Sequence, residues 1–325
     1  RKISSIFFGG GTPSLMDPNF VELLLQKTDK LWGLSSDCEV TIEANPNSVS
    51  DIKFKALRNI GINRVSVGVQ ALNNKDLNNL GRDHDKNQAI EALQIVEKWF
   101  KNYNLDFIYG RQYQCTSEWS DELSKIIALE APHLSLYQLT IEENTNFYKL
   151  FKRNLLKGIP THKTTSEMFD VAKKLCESGG YKQYETSNFA RKGFKCKHNL
   201  SYWKYNDYVG IGPGAHGRIK ISGNIYATEE EGNPDIWLKK TLSSNPSTPK
   251  ITSIRPRVVF EEKLIMNLRI SENIPISIFD YEKLHPVVID LEENNLIKLK
   301  SNQIVMTKRG KKMLDHIARA LIDCY

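Results

Sequence analysis

The sequence predicts an α/β protein: a parallel sheet with covering helices over the first two-thirds of the chain, then a smaller helical module with a hairpin. Three observations predict it. Short β-branched runs alternate with longer segments of helical periodicity up to residue 190. A stretch at 241–256 with three prolines and seven Ser/Thr residues has the composition of a linker. Beyond it, periodic segments flank two short β-branched runs joined by Ser301-Asn302, a winged-helix-like pattern over 257–325.

The elements follow in chain order. Strands are expected at 3–8, 39–43, 65–69, 105–108 and 134–138, with another near 181–184. Asp17 and Pro18 supply an N-cap and a first-turn proline for a helix that Gly33 closes. Ser50 caps a helix at 51–59, and Gly61 lies just past its end. Residues 86–100, 120–129 and 165–178 place apolar side chains at helical spacing. In the last module, 257–268, 276–284, 287–294 and 308–322 are expected helices, and 297–299 with 304–306 a hairpin. The strand at 3–8 is already under way at Arg1, without a preceding Met, so the natural domain is expected to begin further upstream.

Composition narrows the function. At 325 residues and 40% hydrophobic content, the chain is long enough for about two domains and too apolar for disorder. Five cysteines are too few for a disulfide scaffold, and no run of 18 apolar residues exists to cross a membrane. A soluble, cytoplasmic protein is expected. Of the net charge of +7, most sits between Arg191 and Lys220, where seven basic residues accompany only Asp207. Such a run is either a solvated face or a surface for carboxylates and phosphates. Residues 250–325 carry 13 basic and 10 acidic side chains, too weak a footprint for nucleic-acid binding.

Two constellations carry chemistry. The first is Phe8-Gly9-Gly10-Gly11-Thr12-Pro13-Ser14, whose glycines leave backbone N–H groups open to a zwitterionic or phosphorylated ligand. It matches neither a P-loop nor a dinucleotide fingerprint. Polar residues join it from other strand ends: Glu43, Gln70, Arg82 and Asp106. Carboxyl ends of parallel strands converge on one ligand-binding face, and a charged Asp106 inside an apolar strand is costly unless paired. Each of these residues taken singly also fits a loop cap or a salt bridge. The second is Cys196-Lys197-His198-Asn199-Leu200-Ser201-Tyr202-Trp203, followed by the glycine-rich 207–217. Its hexad His-Asn-x-x-Tyr-Trp is similar to the haem-binding motif of the HemW family, a resemblance that implies a neutral imidazole on haem iron, aromatic rings packed on the porphyrin and basic groups paired with its propionates. A hydrogen-bonded core histidine and plain core aromatics are the alternatives for these residues. His216 and Cys196 are secondary ligand candidates, and His84 and His133 have no assigned role.

Together, residues 9–15, Thr41-Ile42-Glu43-Ala44-Asn45-Pro46, Val67-Gly68-Val69-Gln70 and Asp106-Phe107-Ile108-Tyr109-Gly110 make the chain resemble the HemW family. This is the haem-chaperone branch of the radical S-adenosylmethionine (SAM) superfamily, related to oxygen-independent coproporphyrinogen III oxidase. The resemblance implies a partial (β/α)6 barrel at 1–190, a haem-motif segment at 191–240, the linker and the C-terminal module. It implies SAM bound by Gly10, Gly11, Thr12, Glu43, Gln70, Arg82 and Asp106, and haem bound by His198, Tyr202 and Trp203, with His198 on the iron. It also implies a [4Fe-4S] cluster on Cys-x3-Cys-x2-Cys. Cys38, Cys115, Cys176, Cys196 and Cys324 are too widely spaced to reproduce that triad, and 3–8 resembles the family's second strand. The first barrel strand and cluster loop are therefore expected to be missing, and the chain alone is not expected to cleave SAM. A second departure is Gly110-Arg111-Gln112-Tyr113-Gln114, where the family has Gly-Leu-Pro-Gly-Gln.

The resemblance thus implies a haem carrier that hands haem to an acceptor protein, with a membrane-associated respiratory protein as one candidate. The alternative is a coproporphyrinogen oxidase-type radical SAM enzyme of porphyrin biosynthesis. A third possibility is a degenerate fragment with an exposed sheet edge, which would be unstable or self-associating.

Overall fold

Along the first strands, apolar and polar side chains alternate, as in Arg64-Val65-Ser66-Val67-Gly68-Val69-Gln70, and this period of two decides which face each residue takes. The structure is a computed structural model that describes residues 2–143, 145–243, 249–270, 274–276 and 281–324. It divides into two compact units, Arg1–His198 and Asn199–Tyr325.

In the first unit, strands and helices alternate: β1 (Ile3–Phe8), α1 (Pro18–Trp32), β2 (Leu34–Ala44), α2 (Asp51–Asn59), β3 (Arg64–Gln70), α3 (Asn74–Asn79), α4 (Lys86–Trp99), β4 (Tyr103–Tyr109), α5 (Thr116–Ile127), β5 (His133–Gln138), α6 (Asn146–Lys152), α7 (His162–Ser178), β6 (Lys182–Gln183) and β7 (Asn188–Ala190). The sheet order is β1-β2-β3-β4-β5-β7-β6, with β1 to β5 parallel. This is an α/β half-barrel, as the family resemblance implies. One strand departs from the parallel rule: β7 runs antiparallel to β5. Only four residues separate it from β6, far fewer than the dozen or so that a parallel crossover requires. The Asp17 carboxylate accepts from Asn19 N, so the expected N-cap forms. Ser50 occupies the N-cap position of α2 without a side-chain capping bond.

One face of the sheet is welded to the helices. Val65, Val67, Val69, Leu105 and Phe107 are fully buried there against residues such as Leu57, Val96 and Trp119. Each such side chain contributes about 1.5–3 kcal/mol by leaving water. The loop after β4, unusual in sequence, is held by Arg111. Its Nη2 pairs with Asp76 Oδ2 at 2.8 Å and with Glu122, while Nη1 donates to the carbonyls of Ile108 (2.7 Å) and Gln70 (3.4 Å). Glu122 also accepts from Leu72 N and Gln114 Nε2, so one buried carboxylate ties together the loops after β3 and β4. A buried ion pair that loses one partner leaves an uncompensated charge. Glu122→Ala should therefore cost about 3–5 kcal/mol and Glu122→Gln clearly less, read as urea midpoints at constant slope.

The second unit contains β8 (His216–Ile221), β9 (Asn224–Glu229), α9 (Pro234–Thr241) and β10 (Lys250–Ser253), the strands forming an antiparallel sheet. Thus 250–253, expected within a linker, is a strand: Ile251 and Thr252 suit an edge position beside β9. Residues 244–248 of that stretch lie outside the described residues. Further on come α10 (Pro256–Leu268), β11 (Ile274–Pro275), α11 (Tyr281–Glu293), β12 (Ile297–Lys300), β13 (Gln303–Met306) and α12 (Leu314–Asp323). The two helices expected around Pro286 are one, because Leu284, Val288 and Leu291 form a continuous apolar row across it. Residues 277–280 of the first lie outside the described residues. The last helix starts later than expected: Gly310 packs against the Leu296 carbonyl, where a Cβ would meet oxygen at 1.9 Å.

Candidate functional site

Gly10 and Gly11 follow β1 with φ of +82° and +60°, conformations that favour glycine, and a Cβ at either would meet nothing within 4 Å. The Gly10 N–H donates to Glu43 Oε2 at 3.1 Å, so the glycine loop is fastened to the end of β2. Thr12 Oγ1 accepts from Asn45 Nδ2 at 3.0 Å. Gln70 ends β3 at φ +69°, and its amide folds back over Gly68, where a Cβ would stand 2.9 Å from Gln70 Nε2. Asp106 accepts from Ser66 Oγ (3.1 Å) and Asn104 Nδ2 (2.7 Å). Burial pushes the Asp106 carboxyl above the usual range, and Glu43 is raised by burial and then by the charge of Asp106. Arg82 feels the same Asp106 charge, and its buried Nε has no hydrogen-bond partner. The fold thus brings Gly10, Glu43, Arg82 and Asp106 to one end of the sheet, with Thr12 and Gln70 at neighbouring strand ends.

This donor set suits a zwitterion with a ribose. Open backbone at Gly10 and Gly11, an orphaned guanidinium nitrogen and two carboxyls match an amino group, a carboxylate and vicinal hydroxyls. A cluster does not fit the cysteines. Cys38 lies in β2, Cys115 just before α5, Cys176 in α7, Cys196 just before Lys197 and Cys324 after α12. Among the described residues no group of three His, Cys, Asp or Glu side chains could hold a metal ion.

A seven-residue helix, α8 (Lys197–Trp203), begins in the first unit. Its start is anchored by Glu39 of β2. Oε1 accepts from His198 N and from Cys196 Sγ, each at 3.2 Å, and Oε2 accepts from Lys197 N at 3.1 Å. A carboxylate suits the positive end of a helix. The anchored His198 ring stacks on Phe7 of β1, centroids 4.8 Å apart and planes 24° apart, with Nδ1 3.5 Å from Ser5 Oγ. Burial lowers its pKa to about 4, so the imidazole is neutral at pH 7. Tyr202 and Trp203 belong to the second unit. There Tyr202 packs on Tyr208 with centroids 4.3 Å apart, and Trp203 lies under the Arg269 guanidinium at 5.8 Å. Two glycines of 207–217 are sterically required: a Cβ would meet His216 O at Gly210 and Thr228 Oγ1 at Gly217, each at 2.3 Å.

The basic stretch is not a uniform charged face. Lys197 pairs with Asp37 at 2.5 Å, Arg218 with Glu262 at 2.9 Å, and Arg191 lies over the Tyr181 ring at 4.9 Å.

Radical SAM superfamily signatures match residues 1–119. The chain is 36% identical to the zebrafish (Danio rerio) mitochondrial radical S-adenosyl methionine domain-containing protein 1, over 84% of this chain and 62% of that one. It therefore spans under two-thirds of that relative's length. It is 35% identical to heme chaperone HemW of Haemophilus influenzae, over 98% of this chain and 82% of the relative. The chain belongs to the HemW family of radical SAM proteins. Among solved structures, Escherichia coli coproporphyrinogen III oxidase (HemN), described as a radical SAM enzyme, superposes with a TM-score of 0.80 at 18% identity. The superposition covers 99% of this chain and 78% of HemN, and at that identity it shows a shared fold.

Within this HemW-family fold, the inner face of the sheet holds polar residues that belong to no sequence motif. His133 Nδ1 lies 2.5 Å from Asn104 Oδ1, and its Nε2 lies 2.7 Å from Tyr184 OH. Asn104 Nδ2 donates to Ser66 Oγ at 2.7 Å, and Ser135 Oγ stands 2.7 Å from Asn188 Oδ1. Burial holds His133 well below the usual imidazole range. The available signal was period-two alternation: Arg64 and Ser66, Asn104 and Asp106, His133 and Ser135 occupy alternate positions in otherwise apolar strands. No helix among the described residues is long and apolar enough to cross a membrane.

The depressed pKa of His198 has a definite sign. An unfolded histidine takes its proton near 6.5 and the folded one only near 4, so the unfolded state binds more protons between those values. The contribution is constant above about pH 6.5 and is lost as pH falls towards 4, by about 3 kcal/mol in all. His198→Gln removes that titration. Urea unfolding at pH 7 and pH 4.5 should show a smaller acid loss in the variant than in wild type, by about 2 kcal/mol.

Proposed function

We propose that the chain carries haem, with His198 as iron ligand, and passes it to an acceptor protein from a scaffold that also holds SAM. The observation that carries this reading is the state of His198: a neutral imidazole, stacked on Phe7 and positioned by Glu39, in a chain related to proteins named heme chaperone. A neutral ring offers a nitrogen lone pair that an imidazolium lacks. Because its pKa is near 4, protons do not compete for that lone pair at neutral or mildly acidic pH. Tyr202 and Trp203 lie on the same helix and would offer aromatic rings to a porphyrin, and the basic side chains of this stretch suit its propionates.

For SAM, the Glu43 carboxylate would accept from the methionyl amino end, which the open backbone at Gly10 and Gly11 lets approach closely. Arg82 would take the carboxylate through its unpartnered nitrogen, and Asp106 and Gln70 would accept from the ribose. When bound, SAM supplies a sulfonium centre. Among the described residues the cysteines do not form a cluster site. A cytoplasmic location and a respiratory acceptor belong to the same proposal.

Titration with ferric haem, read at the Soret band, tests it. Wild type should bind saturably with a shifted band, and His198→Ala should weaken binding tenfold or more and move the band, about 1.4 kcal/mol or more of lost ligation. An unchanged spectrum and affinity in the variant would remove His198 as ligand.

A further inference from the structure

Arg64 opens β3 on the inner face of the sheet, on the opposite side from Val65 and Val67, and its Cα partner on β2 is Thr41. Its residue surface is only 2% exposed, and Thr41 is fully buried. The Arg64 Nε has no hydrogen-bond partner, and neither has the neighbouring Thr41 Oγ1. Arg64 forms no ion pair among the described residues. Asp106, which feels the Arg64 charge, is hydrogen-bonded to Ser66 and Asn104, and Glu39 of β2 to the thiol of Cys196 and the N–H groups of Lys197 and His198. Around the guanidinium stand His133, Tyr184 and His198, all of which feel its charge.

A buried, unpaired guanidinium is expensive, and so is a buried hydroxyl without a partner. Two such orphans side by side on adjacent strands share one remedy: an acceptor bonded to both. We propose that Arg64 and Thr41 form an internal anion site that takes a small monovalent carboxylate. The guanidinium fork matches a carboxylate, and the hydroxyl supplies a further donor. A single guanidinium with one hydroxyl suits a monoanion rather than a dianion such as phosphate. The near-complete burial of Arg64 limits the occupant to a small one. Neither residue belongs to the sets proposed for SAM or haem, so the site stands or falls independently of them.

Thermal melting of the full chain with increasing sodium formate, at ionic strength held constant, tests the site. Wild type should show a saturable rise in Tm of about 2–4 °C, and Arg64→Met should show none. Thr41→Val, which keeps the guanidinium, should shift half-saturation to about tenfold higher formate. An equal rise in wild type and Arg64→Met, or no saturable rise in wild type, would overturn the site. If Arg64→Met does not fold, Thr41→Val decides, and half-saturation unchanged from wild type counts against the proposal.

Discussion

The first unit depends on a demand for hydrogen bonds inside the curled sheet. One face of β2 to β5 buries valine, leucine and phenylalanine against helices, but the other carries Glu39, Arg64, Ser66, Asn104, Asp106, His133 and Ser135. Polar groups taken out of water must find partners or cost several kcal/mol each. Asn104 meets the demand at the centre. Its amide donates to Ser66 and Asp106, and its carbonyl lies against His133, whose other nitrogen reaches Tyr184. Such a network fixes strand register as firmly as the apolar face does, because a slip of one residue would place every member among the helices.

The network extends to the candidate functional residues. Glu39 satisfies the first N–H groups of α8 and thereby sets His198 against Phe7. Burial then does two things to titratable groups on this face: it keeps both histidines neutral and raises the acidic groups Glu43 and Asp106. Site chemistry and fold stability draw on the same hydrogen bonds. Arg111 plays a comparable part outside the sheet, where one buried ion cluster holds the backbone of Gln70 and Ile108.

Much of the site was legible because its parts are local. A glycine run after a strand, Glu43 near the end of β2 and an apolar strand broken by Asp106 are patterns within a few residues, and the strands that carry them form. His133 was not legible as a functional neighbour, since its partners Asn104 and Tyr184 lie 29 and 51 residues away. The basic stretch was legible as composition only. Whether a lysine there meets solvent or Asp37 depends on a residue 160 positions earlier.

The sequence by itself determined the α/β class, the order of strands and helices in the first unit, and the alternation that sorts each strand into an apolar and a polar face. These follow from backbone propensities and side-chain periods, which act over a few residues. The tertiary structure alone decided that β7 turns back antiparallel, that 250–253 becomes a strand, and that Arg111 is buried among acids. It also decided that Arg64 and Thr41 stand side by side without partners. These outcomes rest on pairings between segments far apart in the chain, and pairing energy becomes definite only when both segments are in place.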